Sequence, residues 1–340
     1  MGVKIIESDA ILSHCMKDSL LLEVKKFLTS RFEPGKPLLL GYSGGPDSKA
    51  LLYLLLECRR FFPLKLHLAH IDHGWRAESA GEVDLIQREA DALKLPLHLQ
   101  RLKGKDFTPG NLEDQGRCHR LHFFSQIYKE FSCQALLLGH HADDKAEVVL
   151  KRMFEGASLL ALGGLALESF LHDMVLWRPL LLSTKAEILR WLFEKNLPFF
   201  QDPTNLSPQF LRGKMRQEML PALAAMFGKE ISSNLCRLGE ESQEIKKYFS
   251  DLNRPILAIL QEDKECVNLN PFLPMQELKL KYLLKEWMGG EGIVVSRQIL
   301  EGITSALLHC TSRKKFVIKD MELCVEKGVL LILNRSSSFN

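Results

Sequence analysis

The chain has 340 residues, 46% hydrophobic residues and nearly balanced charges, with a formal net charge of +3. This length favours two domains over one, and the composition excludes disordered, fibrous and disulfide-stapled classes. The first twenty residues lack a signal-peptide core and no apolar run is long enough to span a membrane, so we expect a cytoplasmic protein. The cysteines form no Cys-x-x-Cys pair, which argues against a zinc knuckle.

Strand-like and helical patterns alternate through the first part of the chain. A short helix over 20–33 leads into an apolar strand that begins at Leu38. Further strands are predicted at 64–71, 97–102, 135–138 and 175–177, and helices at 49–57, 77–93, 112–131, 142–154 and 184–195. This alternation predicts a doubly wound parallel sheet, with a functional site at the C-terminal ends of its strands.

The pattern changes towards the C-terminus. We predict a helix over 210–226 with a kink or boundary at Pro221, then a long helix over 229–261 that breaks near Pro255. Shorter helices at 274–287 and 296–308 and strands at 315–318 and 329–333 follow. We therefore predict a catalytic domain over 1–215 and, over 216–340, a helical linker with a smaller α+β domain.

The first strand opens into the turn Ser-Gly-Gly-Pro-Asp-Ser, residues 43–48, and a helix follows at once. Glycines at such a turn let backbone N–H groups approach an anion, and the helix adds the positive end of its dipole. Ser43 and Ser48 can donate to phosphate oxygens. A carboxylate does not bind phosphate, so Asp47 indicates Mg²⁺ or a polar substrate group. The turn lacks the Gly-Lys-Ser/Thr ending of Walker A.

Polar residues also end the neighbouring strands. His-Ile-Asp-His-Gly-Trp-Arg begins at His70, and Gly-His-His-Ala-Asp-Asp-Lys-Ala-Glu begins at Gly139. His140, Asp144 and Glu147 recur at i, i+4 and i+7, so they share one helix face. Carboxylates at i and i+3 can jointly hold Mg²⁺ or an ammonium group. A solvated, salt-bridged face is the alternative interpretation.

Two arginine-bearing segments complete the pattern. Arg117 and Arg120 lie three residues apart on a predicted helix, where an arginine can clamp a triphosphate or stabilise the leaving pyrophosphate. A solvated helix face is the alternative for this segment. Asp-Pro-Thr-Asn at 202–205 is a turn signal, and Arg-Gly-Lys-Met-Arg at 212–216 follows it.

These segments, in this order, resemble the bacterial tRNA(Ile)-lysidine synthetases of the ATP pyrophosphatase, or PP-loop, superfamily. The resemblance covers about residues 38–225 strongly and the C-terminal part in outline. It implies the doubly wound, adenine nucleotide alpha hydrolase-like fold. The first turn is shared by all ATP pyrophosphatases, whereas the segment over 140–147 together with Asp-Pro-Thr-Asn is far more specific.

The resemblance also implies a reaction. Such a ligase adenylates C2 of the wobble cytidine in a CAU anticodon of tRNA(Ile), and the ε-amine of free L-lysine then attacks that carbon. Lysidine, AMP and pyrophosphate are the products of this carbon–nitrogen bond formation. ATP is a substrate and Mg²⁺ is the expected cofactor. The protein is expected to be a monomer or homodimer and to have no membrane partner.

The family's functional residues carry over by motif. The implied ATP-binding residues are Ser43, Gly44, Gly45, Pro46, Asp47, Ser48, His70 and His140. The implied catalytic residues are Asp47, Arg117, Asp144, Glu147 and Arg212, of which Asp47 and Asp144 would also hold Mg²⁺. Arg117 resembles the phosphate-facing arginine, and Arg212 the arginine of the usual Arg-Asn pair. The chain departs from the usual pattern at Trp75, Leu121, Val148 and Gly213.

Other functions remain open from the sequence. A tRNA thiolase on the same fold is the nearest alternative, although the missing Cys-x-x-Cys favours lysine over sulfur. A non-catalytic tRNA-binding protein is a second, against which the intact Asp47, Arg117 and Glu147 argue. A small-molecule amidotransferase or NAD synthetase is a third. The basic run at 313–315 predicts that the C-terminal domain contacts tRNA phosphates.

Overall fold

The computed structural model describes residues 19–74, 79–102, 112–200, 211–260, 266–309, 311–318 and 321–334. The predicted Asp-Pro-Thr-Asn turn and Trp75 lie outside the described residues. In the part of the chain that is described, no helix has the length and apolar character needed to cross a membrane.

The first sheet has six strands in the order β3-β2-β1-β4-β6-β5. Their bounds are β1 Leu38–Gly41, β2 Leu66–Asp72, β3 Leu97–Arg101, β4 Ala135–Leu137, β5 Glu168–Leu171 and β6 Met174–Trp177. Neighbouring strands from β3 to β6 pair in parallel, and β5 pairs antiparallel with β6. The predicted doubly wound sheet is confirmed. The β5 edge strand was not predicted, because its residues are only partly buried and form no apolar run.

Helices cover both faces of this sheet. They are α1 over 19–29, α2 Pro46–Cys58, α3 Ser79–Ala92, α4 Leu112–Glu130, α5 Ala142–Phe154 and α6 Lys185–Glu194. Successive residues of β1 enter different cores, since Leu38 and Leu40 pack with α1, α2 and α6 whereas Leu39 packs with α4. Burial on both faces explains why β1 reads as a continuous apolar run.

A second helical segment follows, made of α7 Leu211–Lys214, a π-helical turn Met215–Met219 and α8 Leu220–Phe227. The irregularity predicted at Pro221 takes the form of this π turn, in which Leu220 N–H donates to the carbonyl of Met215. Helix α9, Ile231–Leu260, runs through Pro255, so the predicted break there is wrong. Burial of Ile256 and Leu260 beyond the proline holds the helix together.

The chain divides into two compact units between Glu240 and Glu241, within α9 and C-terminal to the boundary predicted at 215. The start of α9 belongs to the first unit, because Leu235 packs with Val149 and Leu150 of α5. The predicted roles of the two domains stay predictions.

The second unit is a separate α+β structure, as predicted. Its antiparallel sheet has the order β7-β10-β9-β8. The strands are β7 Cys266–Asn268, β8 Lys314–Ile318, β9 Met321–Glu326 and β10 Val329–Asn334, and the helices are α10 Glu277–Gly290 and α11 Arg297–Leu308. Short 3-10 turns occur at Leu159–Ala161 in the first unit and Asn270–Phe272 in the second. Lys315 of the edge strand β8 lies 2.6 Å from Glu322, so part of the basic run is already paired.

Candidate active site

The glycine-rich turn between β1 and α2 is closed on itself by serine hydroxyls. Ser48 Oγ donates to the Gly45 carbonyl at 3.1 Å and accepts the Ser43 N–H at 3.2 Å. Gly44 has φ +74°, and a Cβ there would lie 2.3 Å from the ring of Phe200, so both conformation and space require glycine. Gly45 caps α2, and Pro46 takes an early position where no N–H is needed. The turn therefore presents backbone N–H groups at a helix N-terminus, as an anion site requires.

The lysine that follows the turn points away from it. Lys49 is only 8% exposed, and its Nζ lies 2.5 Å from Oε1 of Glu89 on α3. The hydroxyls of Tyr42 and Tyr53 donate to the same carboxylate at 2.5 and 2.9 Å. Burial and the Glu89 charge raise the pKa of Tyr42 well above its ordinary value and that of Tyr53 to about 12, so both hydroxyls stay protonated. This network supports the turn from beneath.

Gly139 brings β4 and the start of α5 against the turn. A Cβ at Gly139 would lie 2.9 Å from the carbonyl carbon of Asp47 and 3.0 Å from the backbone nitrogen of Ser48. These are backbone atoms at the first turn of α2, so a side chain cannot be accommodated without moving the helix. The close approach places the predicted carboxylates of α5 beside Asp47.

A buried imidazole lies among three carboxylates at this point. His141 Nε2 is 3.4 Å from Asp144 Oδ2 and 3.8 Å from Asp47 Oδ1, and its Nδ1 is 3.4 Å from Asp143 Oδ2. Burial lowers the pKa of His141, but the carboxylates outweigh burial and raise it above its ordinary value. The same contact with His141 holds the pKa of Asp143 at about 2. Sequence reasoning named His140 instead; the Asp at i+3 from His141, which accepts its backbone N–H at 3.0 Å, was the available signal.

Asp47 also pairs with a lysine that the sequence did not indicate. Lys185 Nζ lies 2.5 Å from Asp47 Oδ1, and the Lys185 backbone N–H donates to Asp143 Oδ2 at 2.8 Å. Lys185 is the first residue of α6, directly after its N-cap Thr184. The predicted capping box of Thr184 and Glu187 is confirmed, with the Glu187 N–H donating to Thr184 Oγ1 at 3.3 Å. The N-terminus of α6 is thereby fixed at the site.

Asp144 and Glu147 share one face of α5, and a single arginine bridges them. Arg216 Nε lies 2.7 Å from Glu147 Oε1, and its Nη2 lies 3.3 Å from Asp144 Oδ1. Burial raises the pKa of Glu147, and the hydrogen bond and charge of Arg216 oppose that rise. Burial lowers the pKa of Arg216, but Glu147 outweighs it and raises the pKa above its ordinary value. Arg216 lies in the π-helical turn and belongs to the motif at 212–216, four residues after Arg212, although only Arg212 was predicted as a site residue.

The two predicted histidines, His70 and His140, have partly buried side chains. His70 Nδ1 is 2.8 Å from the Tyr42 carbonyl, and burial lowers the pKa of its imidazole. Burial lowers the pKa of His140 to about 4, with Arg178 and Arg212 lowering it further against the opposing charge of Asp144. Both imidazoles are therefore neutral at pH 7.

Predicted arginines bring positive charge to the same end of the sheet. Arg212 of α7 is exposed, and its charge acts on both His140 and Glu147. Arg117 of α4 is exposed too, and its charge adds to burial in lowering the pKa of Arg178. The geometry thus combines an anion-binding turn, cationic side chains and a carboxylate cluster.

The described side chains do not complete a metal site by themselves. In the described ranges, no group of three or more His, Cys, Asp or Glu side chains is arranged to hold a metal ion. Asp47 and Asp144 nevertheless approach the same nitrogen of His141. Mg²⁺ is usually bound by one or two carboxylates with substrate phosphates supplying further ligands, so these two residues fit it.

Known proteins are similar to this chain along most of its length. The PP-loop domain family matches residues 16–223. A tRNA(Ile)-lysidine synthase of Protochlamydia amoebophila is 35% identical over 332 residues, covering 95% of this chain and 72% of the relative. The chain belongs to the tRNA(Ile)-lysidine synthase family. A second member of the lysidine synthase family, from Chlamydia caviae, is 32% identical over 95% of this chain and its own whole length.

Membership of the lysidine synthase family confirms the resemblance seen in the sequence motifs. The chain is therefore an ATP-using ligase. Among solved structures, the U34-tRNA thiolase NcsA of Methanococcus maripaludis with its [4Fe-4S] cluster has a TM-score of 0.57. It is 19% identical and covers 68% of this chain and 80% of its own. That likeness shows a common fold alone, whereas the lysidine synthase family is matched along nearly the whole chain.

Proposed function

We propose that this protein ligates L-lysine to C2 of the wobble cytidine in CAU-anticodon tRNA(Ile), at the expense of ATP. One observation carries the proposal. The glycine-rich turn and the carboxylates of Asp47, Asp144 and Glu147 converge beyond the C-terminal ends of β1 and β4. The chain that carries them belongs to the lysidine synthase family. An anion site beside a cation site suits a reaction that joins ATP to an amine.

In the first step, cytidine O2 attacks the α-phosphorus of ATP and the bond to the bridging oxygen of pyrophosphate breaks. The N–H groups of the turn and the hydroxyl of Ser43 bind the departing phosphates, and Arg117 and Arg212 offset their charge. Asp47 and Asp144 would hold Mg²⁺, whose chemistry there is to neutralise phosphate charge. The neutral imidazoles of His70 and His140 border the nucleotide without adding positive charge.

In the second step, the ε-amine of lysine attacks C2, the C2–O bond breaks and AMP leaves. Adenylation makes that oxygen a good leaving group, so the site needs chiefly to hold a deprotonated amine in line. Asp144 and Glu147 present a carboxylate face to the lysine molecule. Arg216 pairs with Glu147 at 2.7 Å and opposes the rise that burial causes in the pKa of Glu147.

The second unit is proposed to add tRNA affinity without chemistry. Every residue assigned to the reaction precedes Arg216, and Arg313 together with Lys314 and Lys315 of β8 can contact phosphates. Lys315 is paired with Glu322, and Arg313 lies 4.0 Å from Glu326, so these contacts are expected to be few. We further propose that the protein acts in the cytoplasm. We also propose that it is a monomer or homodimer.

The test is incubation of the full-length protein with CAU-anticodon tRNA(Ile), ATP and radiolabelled lysine. We expect ATP-dependent entry of label into the RNA, and none with a tRNA in which the wobble cytidine is replaced. Asp47→Asn should melt near the wild-type temperature yet lose tRNA-dependent pyrophosphate release by about 100-fold or more. Incorporation of sulfur from a sulfur donor, with no lysine label, would instead assign the protein to the thiolases.

A further inference from the structure

The pyrophosphate turn of this chain has no cationic side chain of its own. The neighbouring lysine, Lys49, is buried and held by Glu89 beneath the turn. The turn's one charged side chain is the carboxylate of Asp47, which repels phosphate. Positive charge for the leaving pyrophosphate must therefore come from another element.

Lys185 of α6 is placed to supply that charge. Its Nζ contacts Asp47 at 2.5 Å, and the two side chains are 32% and 29% exposed, so a ligand entering the turn can reach the ammonium group. A cation at the first residue of a helix opposes the helix dipole, which makes this an unfavourable position on local grounds alone. Positions that break a local preference are expected where function requires them.

The backbone around Lys185 is held rigidly. Asp143 accepts the Lys185 N–H, and Thr184 and Glu187 cap the same helix end. Asp143 is itself kept ionised by His141, which lowers its pKa to about 2. The cation is thus preorganised beside the turn while its long side chain stays free to exchange partners.

We propose that Lys185 is a phosphate-contacting residue of the adenylation step, which exchanges the carboxylate of Asp47 for the oxygens of the leaving pyrophosphate when ATP binds. The exchange frees Asp47 for a cation that accompanies the nucleotide. As the α-phosphorus transfers to cytidine O2, the ammonium group stabilises the negative charge that develops on the departing pyrophosphate. This inference rests on the proposed function for its reaction and on ATP use for its binding test.

The first measurement is ATP binding to the full-length protein in EDTA, by calorimetry. Lys185→Met should weaken ATP binding at least tenfold, and Lys185→Arg should stay within about threefold of wild type, because a guanidinium also binds phosphate. The matched control is Lys195→Met. Lys195 joins the same two helices through a 2.7 Å pair with Glu57, away from the turn, so its loss should leave ATP binding unchanged.

The decisive variants separate phosphate contact from simple neutralisation of Asp47. Asp47→Asn should bind ATP in EDTA as tightly as wild type or more tightly, because it removes a negative charge and frees Lys185. The double variant Asp47→Asn/Lys185→Met should remain at least tenfold weaker than Asp47→Asn. If the double variant instead binds ATP as tightly as Asp47→Asn, Lys185 only neutralises the carboxylate and the inference is overturned.

Turnover gives an independent reading. Lys185→Met should lower kcat for tRNA-dependent pyrophosphate release by about 100-fold at saturating ATP, the scale typical of one lost charge-stabilising donor. Wild-type protein that binds ATP as predicted but never modifies tRNA would refute the proposed function and leave the ATP-binding inference standing. Wild-type activity in Lys185→Met would refute the inference and leave the function standing.

Discussion

Removing the guanidinium of Arg216 is expected to destabilise the first unit in a pH-dependent way. Glu147 is only 4% exposed and Arg216 provides its charge partner at 2.7 Å. Arg216→Met keeps much of the apolar stem but leaves a buried carboxylate without that partner. Breaking a buried ion pair costs about 3–5 kcal/mol, but Arg216 is 41% exposed and partly screened, so we expect a loss of about 1–3 kcal/mol.

The sign of the pH dependence follows from Glu147. Burial already raises the pKa of this carboxyl, and losing Arg216 raises it further. When the pKa of a carboxyl is higher in the folded than in the unfolded state, the free energy of unfolding is unaffected below the unfolded pKa, which is near 4.3. It decreases as pH rises through the folded pKa. The deficit of Arg216→Met relative to wild type should therefore be smallest near pH 5 and largest near pH 8.

Thermal and urea unfolding at these two pH values measure the effect. The expected shift at pH 8 is about 2–4 °C per kcal/mol for a unit of this size. Glu147→Gln in the Arg216→Met background should restore most of the loss, because a neutral amide needs no charge partner. Lys214→Met, an exposed change on the adjoining α7, is the control. A deficit that is equal at both pH values, or that survives Glu147→Gln, would refute the reasoning.

Three further predictions concern the site and the second unit. Glu147→Gln should raise the KM for lysine more than it weakens tRNA binding in a filter assay; the reverse result would assign this face to RNA. Gly139→Ala should weaken ATP binding at least tenfold in calorimetry, because its Cβ meets backbone atoms of Asp47 and Ser48 within 3.0 Å, and unchanged binding would show that the helix yields freely. Neutralising residues 313–315 together should reduce the slope of log K for tRNA binding against log salt concentration by about 0.9 per lost phosphate contact. An unchanged slope would show that this segment does not contact tRNA.

The strands and helices that build the site were predictable, because their signals are local. The leucine run of β1, the turn at 43–48 and the caps of α6 each occupy a few consecutive residues. The predicted break in α9 was wrong because the local and the tertiary signals conflict there. Pro255 is a strong helix breaker in sequence, but the buried Ile256 outweighs it in the fold.

The cationic partners in the site were harder to predict. Lys185 and Asp47 are 138 positions apart, and nothing in the sequence of α6 indicates which carboxylate its first residue meets. Arg216 stood within a recognised motif, but the π-helical turn that precedes Pro221 sets its position relative to α5. Periodicity assigns residues to a face of one helix, whereas contacts between helices depend on packing that a single sequence does not specify.

The carboxylate of Glu89 ties together three separate segments, since it receives Tyr42 after β1 and both Lys49 and Tyr53 from α2 while belonging to α3 itself. The shape of the turn is thereby linked to a residue that lies outside it. Changes on α3 that loosen this tie would alter how firmly the turn holds its shape, and would act on ATP from behind the binding surface. Substitution of Glu89 on α3 is therefore expected to change ATP affinity although no residue of the turn itself has changed.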